Sequence, residues 1–282
     1  MTQIPCLTTT EQPQIHPTAI IEPGAKIESH VKIGPYCHVG PHVHLHENVE
    51  LKSHVIVDGH TTIGASTVIY PFAAIGLAPQ DKKYANEPSR LTLGSNNIIR
   101  EYVTINPGTT QGDMVTAIGN DGLFMVGVHI AHDCVIGDHA TFSNNATLAG
   151  HVHVGNSVTI GGLSAVHQFV RIGDHAMIGG MAGIAQDIIP YGIVSAEQDN
   201  LCGLNLIGLK RRGFSSSEIG NLRSAYKLLF ANEGMPENST FQERLKKAEI
   251  DYKESEAVNY LLAFIKQDSP RSISMPKDLK VS

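Results

Sequence analysis

The chain has 282 residues with 41% hydrophobic content, enough to bury a full core as one large domain or as one domain with a smaller appendage. A formal net charge of -6 and a pI near 6.2 give no electrostatic reason to expect nucleic acid as a partner. Neither a basic leader nor an apolar run of about 18 residues is found, so secretion and a membrane span are not indicated and a cytoplasmic location is expected.

The chain order is set by a repeat of six residues. From Ile15 the sequence reads IHPTAI IEPGAK IESHVK IGPYCH and so on, and an aliphatic residue opens each of the eleven hexads that start between Ile15 and Ile75. The register returns at Leu93, Ile99 and Ile105, slips by one across "TTQGDMVTA", and runs again from Ile118 to Ile184. The fifth place is small, and turn formers crowd the second to fourth, so the chain bends every six residues. Three short strands and three turns close a coil of about 18 residues, and stacked coils bury a continuous aliphatic column. The predicted fold is all-β: a parallel β-helix over residues 15–195, with 1–14 a loosely ordered lead-in. Similarity to the hexapeptide acyltransferases implies the left-handed form.

Past about Pro190 the hexads stop, and residues 196–282 are predicted to be a small helical domain covering the open end of the stack. Capping boxes at Ser215 to Glu218 and Ser239 to Gln242 start two helices, Gly234 stops the first, and a third apolar run spans Ala257 to Ile265. The tail from Ser269 is expected to be loosely ordered.

Within this register the candidate residues acquire positions. The four cysteines, Cys6, Cys37, Cys134 and Cys202, are scattered without a CxxC pair, which disfavours a disulfide framework or a zinc-cysteine site. Cys134 and Cys37 fall at the inward fifth place and read as core filler. All 15 histidines lie in the repeat region, and most read as solvated turn residues. His132 is the only one at the third place, and Asp133 follows it. Gly150 and then Gln168 stand directly above His132, with coils separated by ~4.8 Å, while His151 and Phe169 stand above Asp133. A histidine beside a carboxylate, under a glycine whose N–H is open, suits a general base with an oxyanion donor. The metal alternative, zinc held by His129, His132 and His151, supplies no reason for an open coordination position.

Six motifs in order, "QDKKYANEP" from Gln80, "HIAHDC" from His129, "NNATLAGHV" from Asn144, "GGLSAVHQF" from Gly161, "GIAQD" from Gly183 and "GLKRRGF" from Gly208, resemble the UDP-N-acetylglucosamine O-acyltransferase family. That family begins lipid A biosynthesis in Gram-negative bacteria, and the similarity runs from about Ile15 to about Lys227. It implies transfer of an (R)-3-hydroxyacyl group from acyl carrier protein to the 3-hydroxyl of UDP-N-acetylglucosamine, without cofactor, metal or acyl-enzyme, in a homotrimer with clefts between subunits. It further implies that His132 is the base, Asp133 its orienting acid, and Gly150 the oxyanion donor. His129, His151, His167 and Gln168 would line the cleft. Gln80, Asp81 and Lys83, on a loop ejected from the coil, together with Asn205, Arg211 and Arg212, would serve the nucleotide and the acidic carrier.

Gly180, eight hexads beyond His132, matches the position that limits acyl length; at roughly 13 Å along the axis from about 4.8 Å per coil, and without a side chain, it implies a long-chain donor. Two departures affect the nucleotide site: "NLIG" places Ile207 where relatives carry a glutamate, and "TINPG" places Asn106 where they carry a histidine. Competing functions are a related acyltransferase with another acceptor, such as the N-acyltransferase later in the pathway, a metal-dependent hydratase of the carbonic anhydrase kind, and a non-catalytic scaffold. Hexads beginning already at Ile15 count against the first, for which an extra N-terminal uridine-binding domain would be expected.

Overall fold

The computed structural model describes residues 12–196 and 200–277. Residues 1–11, with Cys6, lie outside it, as do 197–199 and the last five positions of the tail. The chain is a left-handed parallel β-helix of three sheets with eleven, nine and eight strands. Ile20 pairs with His38, and Gln14 with Lys32, so one coil is 18 residues, as the hexads require. Gln14–Ile15 is already the first strand, so the lead-in does not extend to residue 14.

First-place and fifth-place side chains fill the axis. Ile33, Cys37, Val39, Val43 and Leu45, for example, are all buried, and the column continues to Val194. Each fully buried aliphatic side chain contributes about 1.5–3 kcal/mol, and none of that is available to an isolated coil. The fourth place of most hexads is left-handed, and not mainly by glycine: Tyr36, Phe72, Asp133, His151, Leu163 and Met181 all have φ near 60°. Turn geometry repeated at every corner overrides residue preference there.

Two loops interrupt the stack. Ile75 pairs with Ile105, 30 positions later instead of 18, so twelve residues are extra. Twelve is two hexads, which is why the register survives. Ile105 pairs with Ile130 after 25 positions, leaving seven extra, and a seventh residue produces the slip of one. Both loops leave the coil between the nine-stranded and eight-stranded sheets, at the corner that carries His132.

Four helices cover the end: α1 (Leu206–Arg211), α2 (Ser216–Ala231), α3 (Phe241–Asp251) and α4 (Glu256–Lys266). Ile189, Tyr191 and Leu201 join Leu222, Leu229, Val258 and Leu261 in their shared core. Three details correct the sequence reading. Ser215 caps α2, but Glu218 does not fold back to it; its carboxylate accepts from Ser255 Oγ at 2.7 Å and Ala257 N–H at 3.1 Å, tying α2 to α4. The second box is Thr240 with Glu243, one residue later than expected, and Asn232 in the left-handed region, rather than Gly234, ends α2.

Most consequential is the tail from Ser269, expected to be loose. It docks on the last coil, where Asp187 N–H donates to Ser272 O and Ser274 N–H to Asp187 O, while Leu201 N–H donates to Ser274 Oγ. Unpaired backbone on the final coil needs partners, and the tail supplies them.

Candidate active site

His132 follows the strand His129–Ile130, and the turn that breaks it there puts His132 and Asp133 side by side at the corner. Both are buried, at 7% and 5% exposure. His132 Nδ1 lies 2.9 Å from Asp133 Oδ2. The carboxylate is held from its far side: Oδ1 accepts from Thr109 N–H at 2.9 Å, and Oδ2 from Thr109 Oγ at 2.6 Å. Asp133 N–H donates to Thr116 Oγ at 2.8 Å. Thr109 and Gly112, which packs against the same carboxylate, belong to the seven-residue insertion. Sequence reading missed both threonines; the register slip was the available signal, since an inserted segment must cover something.

With both oxygens of Asp133 engaged, Nδ1 of His132 is the atom directed at the carboxylate, and Nε2 is left for chemistry. Gly150 sits over the ring: a Cβ built there would lie 2.4 Å from Cε1 and 2.7 Å from Nε2 of His132. Its N–H donates to no group among the described residues. The outward third-place N–H recurs at these turns; here alone it stands over a histidine.

His151 packs edge-on to His132 with centroids 5.0 Å apart and stacks on Phe169 at 4.6 Å, and its Nε2 lies 3.8 Å from Asp133 Oδ2. Burial lowers the pKa of His151, against the pull of Asp133, and burial followed by the nearby His132 lowers that of His129, so both imidazoles are held toward the neutral form. Cys134 is fully buried, its thiol pushed up to about 12 by burial, and Sγ donates to Ala149 O at 3.2 Å; it is filler with no thiolate to offer.

A cavity of about 680 Å³ opens at this corner, the size of a small-ligand site. Gln80, Asp81 and Lys83 of the twelve-residue insertion face His132, His151 and Gln168 across it. Lys82, Gln111 and Phe169 complete the lining, and the sequence reading overlooked Gln111. Glu87 joins the two insertions, accepting from Thr110 N–H at 3.3 Å. Asn106 also serves the loop, its side-chain amide donating to Leu77 O at 3.0 Å and Ala78 O at 3.3 Å, while its buried Oδ1 has no partner.

Other expected residues are not at this cavity. His129 Nδ1 lies 2.7 Å from Thr104 Oγ and does not line it, so the metal-ligand grouping is His132, Asp133 and His151 instead of the three histidines. An ion bound through His132 Nδ1 and Asp133 Oδ2 would have to displace the hydrogen bond between them. His167 faces the docked tail, its Nδ1 lying 2.5 Å from Arg271 Nη2, and Arg271 Nε donates to Gln168 O at 2.9 Å.

Asn205, Ile207, Arg211 and Arg212 line a second cavity of about 880 Å³ with Met177 and Leu204, over the eleven-stranded sheet beside its corner with the eight-stranded sheet. There Asn205 caps α1, accepting from Gly208 N–H, and donates to His175 O at 3.0 Å, while Arg212 Nη2 donates to Ser157 O at 2.9 Å. Gly180 lies at the third corner, one coil above Gly162, whose O stands 3.2 Å from a Cβ built on Gly180. Eight hexads are not a whole number of coils, so Gly180 cannot stand in the His132 column of the same chain.

Residues 187–274 match the family model described as "Udp N-acetylglucosamine O-acyltransferase; Domain 2", and residues 12–47 match the bacterial transferase hexapeptide model. The acyl-[acyl-carrier-protein]–UDP-N-acetylglucosamine O-acyltransferase of Caulobacter vibrioides is 54% identical over 215 residues, 76% of this chain and 80% of that protein. That of Rickettsia canadensis is 52% identical over 209 residues, 74% and 77% of the two chains. Among solved structures, the UDP-N-acetylglucosamine O-acyltransferase of Moraxella catarrhalis superposes with TM-score 0.86 at 43% identity, covering 92% of this chain and 99% of that one. A β-helix of this length, with both insertions at the histidine corner and relatives this similar across most of their length, places the chain in the acyl-[acyl-carrier-protein]–UDP-N-acetylglucosamine O-acyltransferase family.

Proposed function

We propose that this acyltransferase moves an (R)-3-hydroxyacyl group from acyl carrier protein to the 3-hydroxyl of UDP-N-acetylglucosamine, the first step of lipid A biosynthesis, by direct attack with His132 as general base. The single observation that carries the mechanism is the Thr109–Asp133–His132 relay beneath Gly150. Asp133, fixed by Thr109, orients the ring and stabilises the imidazolium that forms when Nε2 takes the hydroxyl proton. The hydroxyl oxygen attacks the thioester carbonyl, and the tetrahedral oxyanion is met by the open N–H of Gly150. Collapse expels the carrier thiolate, which regains a proton from His132. The thioester itself supplies the activated acyl group, so no cofactor or metal is called for.

The sugar nucleotide is taken up between the insertion carrying Gln80, Asp81 and Lys83 and the wall carrying His151 and Gln168. Arg211 and Arg212, with Asn205, meet the diphosphate and the acidic carrier. These residues and Gly180 lie at the two other corners, so a complete cleft requires the corner of a neighbouring copy. That supports a homotrimer with sites between subunits. No helix among the described residues is long and apolar enough to cross a membrane, in keeping with cytoplasmic substrates.

The test is a thioester-release assay with 3-hydroxyacyl carrier protein and UDP-N-acetylglucosamine. His132→Ala is expected to lose about 10²–10⁴ in kcat; turnover at the wild-type rate would remove His132 as the base.

A further inference from the structure

A second grouping of metal-ligating side chains lies far along the stack from the cleft, where the first coil meets the second. Glu28 is at the second place of its hexad, and His46 is 18 positions on, at the same place one coil higher. His44 opens the strand His44–Leu45 that leads into His46, and is paired with Lys26. Backbone ladders fix all three, since Glu28 N–H donates to Leu45 O at 3.0 Å and His46 N–H to Ile63 O at 3.0 Å. Both imidazoles converge on one carboxylate oxygen: His44 Nε2 lies 2.8 Å and His46 Nδ1 3.0 Å from Glu28 Oε1, and the rings are 4.1 Å apart. The other oxygen, Oε2, accepts from Glu47 N–H at 3.1 Å, so the carboxylate is already oriented by an outer partner. These three residues are half-buried, and together with the His132 corner they are the groupings among the described residues with ligand atoms all within 4.8 Å of one another.

We propose that Glu28, His44 and His46 form a site for a divalent transition metal, zinc above all, that staples the first coil of the β-helix to the second. Ligand atoms about 2.0–2.1 Å from a tetrahedral zinc stand roughly 3.3 Å from one another. The present contacts need open by only a few tenths of an ångström to admit the ion, which side-chain torsions supply without moving the ladder. Two imidazoles and one carboxylate select zinc and its neighbours over magnesium or calcium, which prefer all-oxygen shells. The fourth position faces solvent, since the side chains are 30–40% exposed. Lys26, beside His44 in the ladder, is an exposed ammonium that moderates the affinity without occupying the site.

The location gives the site its purpose. The first coil is the weakest part of the stack: Ile15, at a core-facing first place, is 42% exposed, and Ala19, Ile21, Ala25 and Ile27 are only partly buried. A ligand set drawn from both coils resists the fraying that such shallow burial invites.

The test is equilibrium dialysis of the tag-free full chain against zinc, with magnesium as a control, and hydrogen exchange with and without zinc. The wild type is expected to hold one zinc per protomer more than a His44→Ala/His46→Ala variant. Glu28→Gln is expected to weaken that binding at least tenfold, and zinc to slow exchange in residues 26–46 of the wild type alone. Equal stoichiometry and affinity in wild type and double variant would overturn the proposal. So would zinc uptake that disappears only on His151→Ala, which would place the metal at the other corner. The single variants His44→Ala and His46→Ala, at outward-facing positions, repeat the comparison if the double variant folds poorly.

Discussion

Gly150→Ala is the sharpest perturbation of the proposed machinery, because it adds one methyl and removes no functional group. The new Cβ would stand 2.4 Å from Cε1 and 2.7 Å from Nε2 of His132, whereas ordinary carbon contacts begin near ~3.5 Å. The atoms beneath it are a ring pinned on its other side by Asp133, which is itself pinned by Thr109, so the ring cannot slide freely. It must shift by about 1 Å, and a displacement of that size at a reacting atom costs about 10²-fold. The φ of Gly150 is not in the left-handed region, so alanine meets no backbone penalty, and its N–H remains available to an oxyanion. The expected outcome is a kcat lowered about a hundredfold in the thioester-release assay, with KM for the nucleotide little changed and the oligomer intact. In a His132→Ala background, which removes the clashing ring, the same substitution should have almost no further effect. Wild-type kcat/KM in the single variant, or an undiminished hundredfold effect in the double variant, would refute the steric coupling between Gly150 and the base.

Thr109→Val keeps the shape of the insertion but removes the hydroxyl that donates to Asp133 Oδ2, leaving a buried carboxylate short of a partner; a loss of about 1–3 kcal/mol in urea unfolding is expected, with a fall in kcat larger than any rise in KM. The pH dependence follows from His151 and His129, whose pKa values are lowered by burial. The unfolded chain then binds more protons near and below the ordinary imidazole value of 6.5, so stability is full above that pH and declines as pH falls through 6.5 toward the lower folded values; His151→Gln should flatten this decline in thermal melts from pH 8 to pH 5, and an unchanged slope would remove its contribution. Gly180→Met should shift donor preference to shorter 3-hydroxyacyl chains in a length series, and unchanged selectivity would dissociate Gly180 from chain length.

How much of this was legible beforehand differs from residue to residue. The hexad register alone placed Cys134 in the core, His132 at a corner, and Gly150 above it, because a solenoid converts sequence separation directly into spatial separation and every coil of 18 residues returns to the same column. The same arithmetic marked one loop that leaves the coil and a second place where the register slips by one. It could not show that both leave at one corner and close over Asp133 and the cavity, because an insertion carries no period from which its path can be counted. Thr109 and Thr116 were therefore invisible as the supports of Asp133, and Gln111 as a wall of the cleft. The tail was misjudged for a related reason. Its polar composition describes a solvated segment, yet Ser272, Ser274 and Arg271 find partners on a last coil that has no next coil to pair with.

The sequence by itself determined a parallel β-helix, since an apolar residue every sixth position and turn formers between them bury a continuous column, while its left hand was implied by the resemblance. It also determined which histidine differs from the others. Tertiary structure decided what that histidine can do, through the threonine that fixes its carboxylate and the methyl-sized gap above its ring. It also separated residues that motif order had grouped: Asn205, Arg211, Arg212 and Gly180 stand at corners other than that of His132, because whole coils, and not hexads, bring positions into register. Short-range periodicity is written in the chain; contacts made by insertions, chain ends and neighbouring copies depend on where the stack leaves hydrogen bonds and apolar surface to be covered.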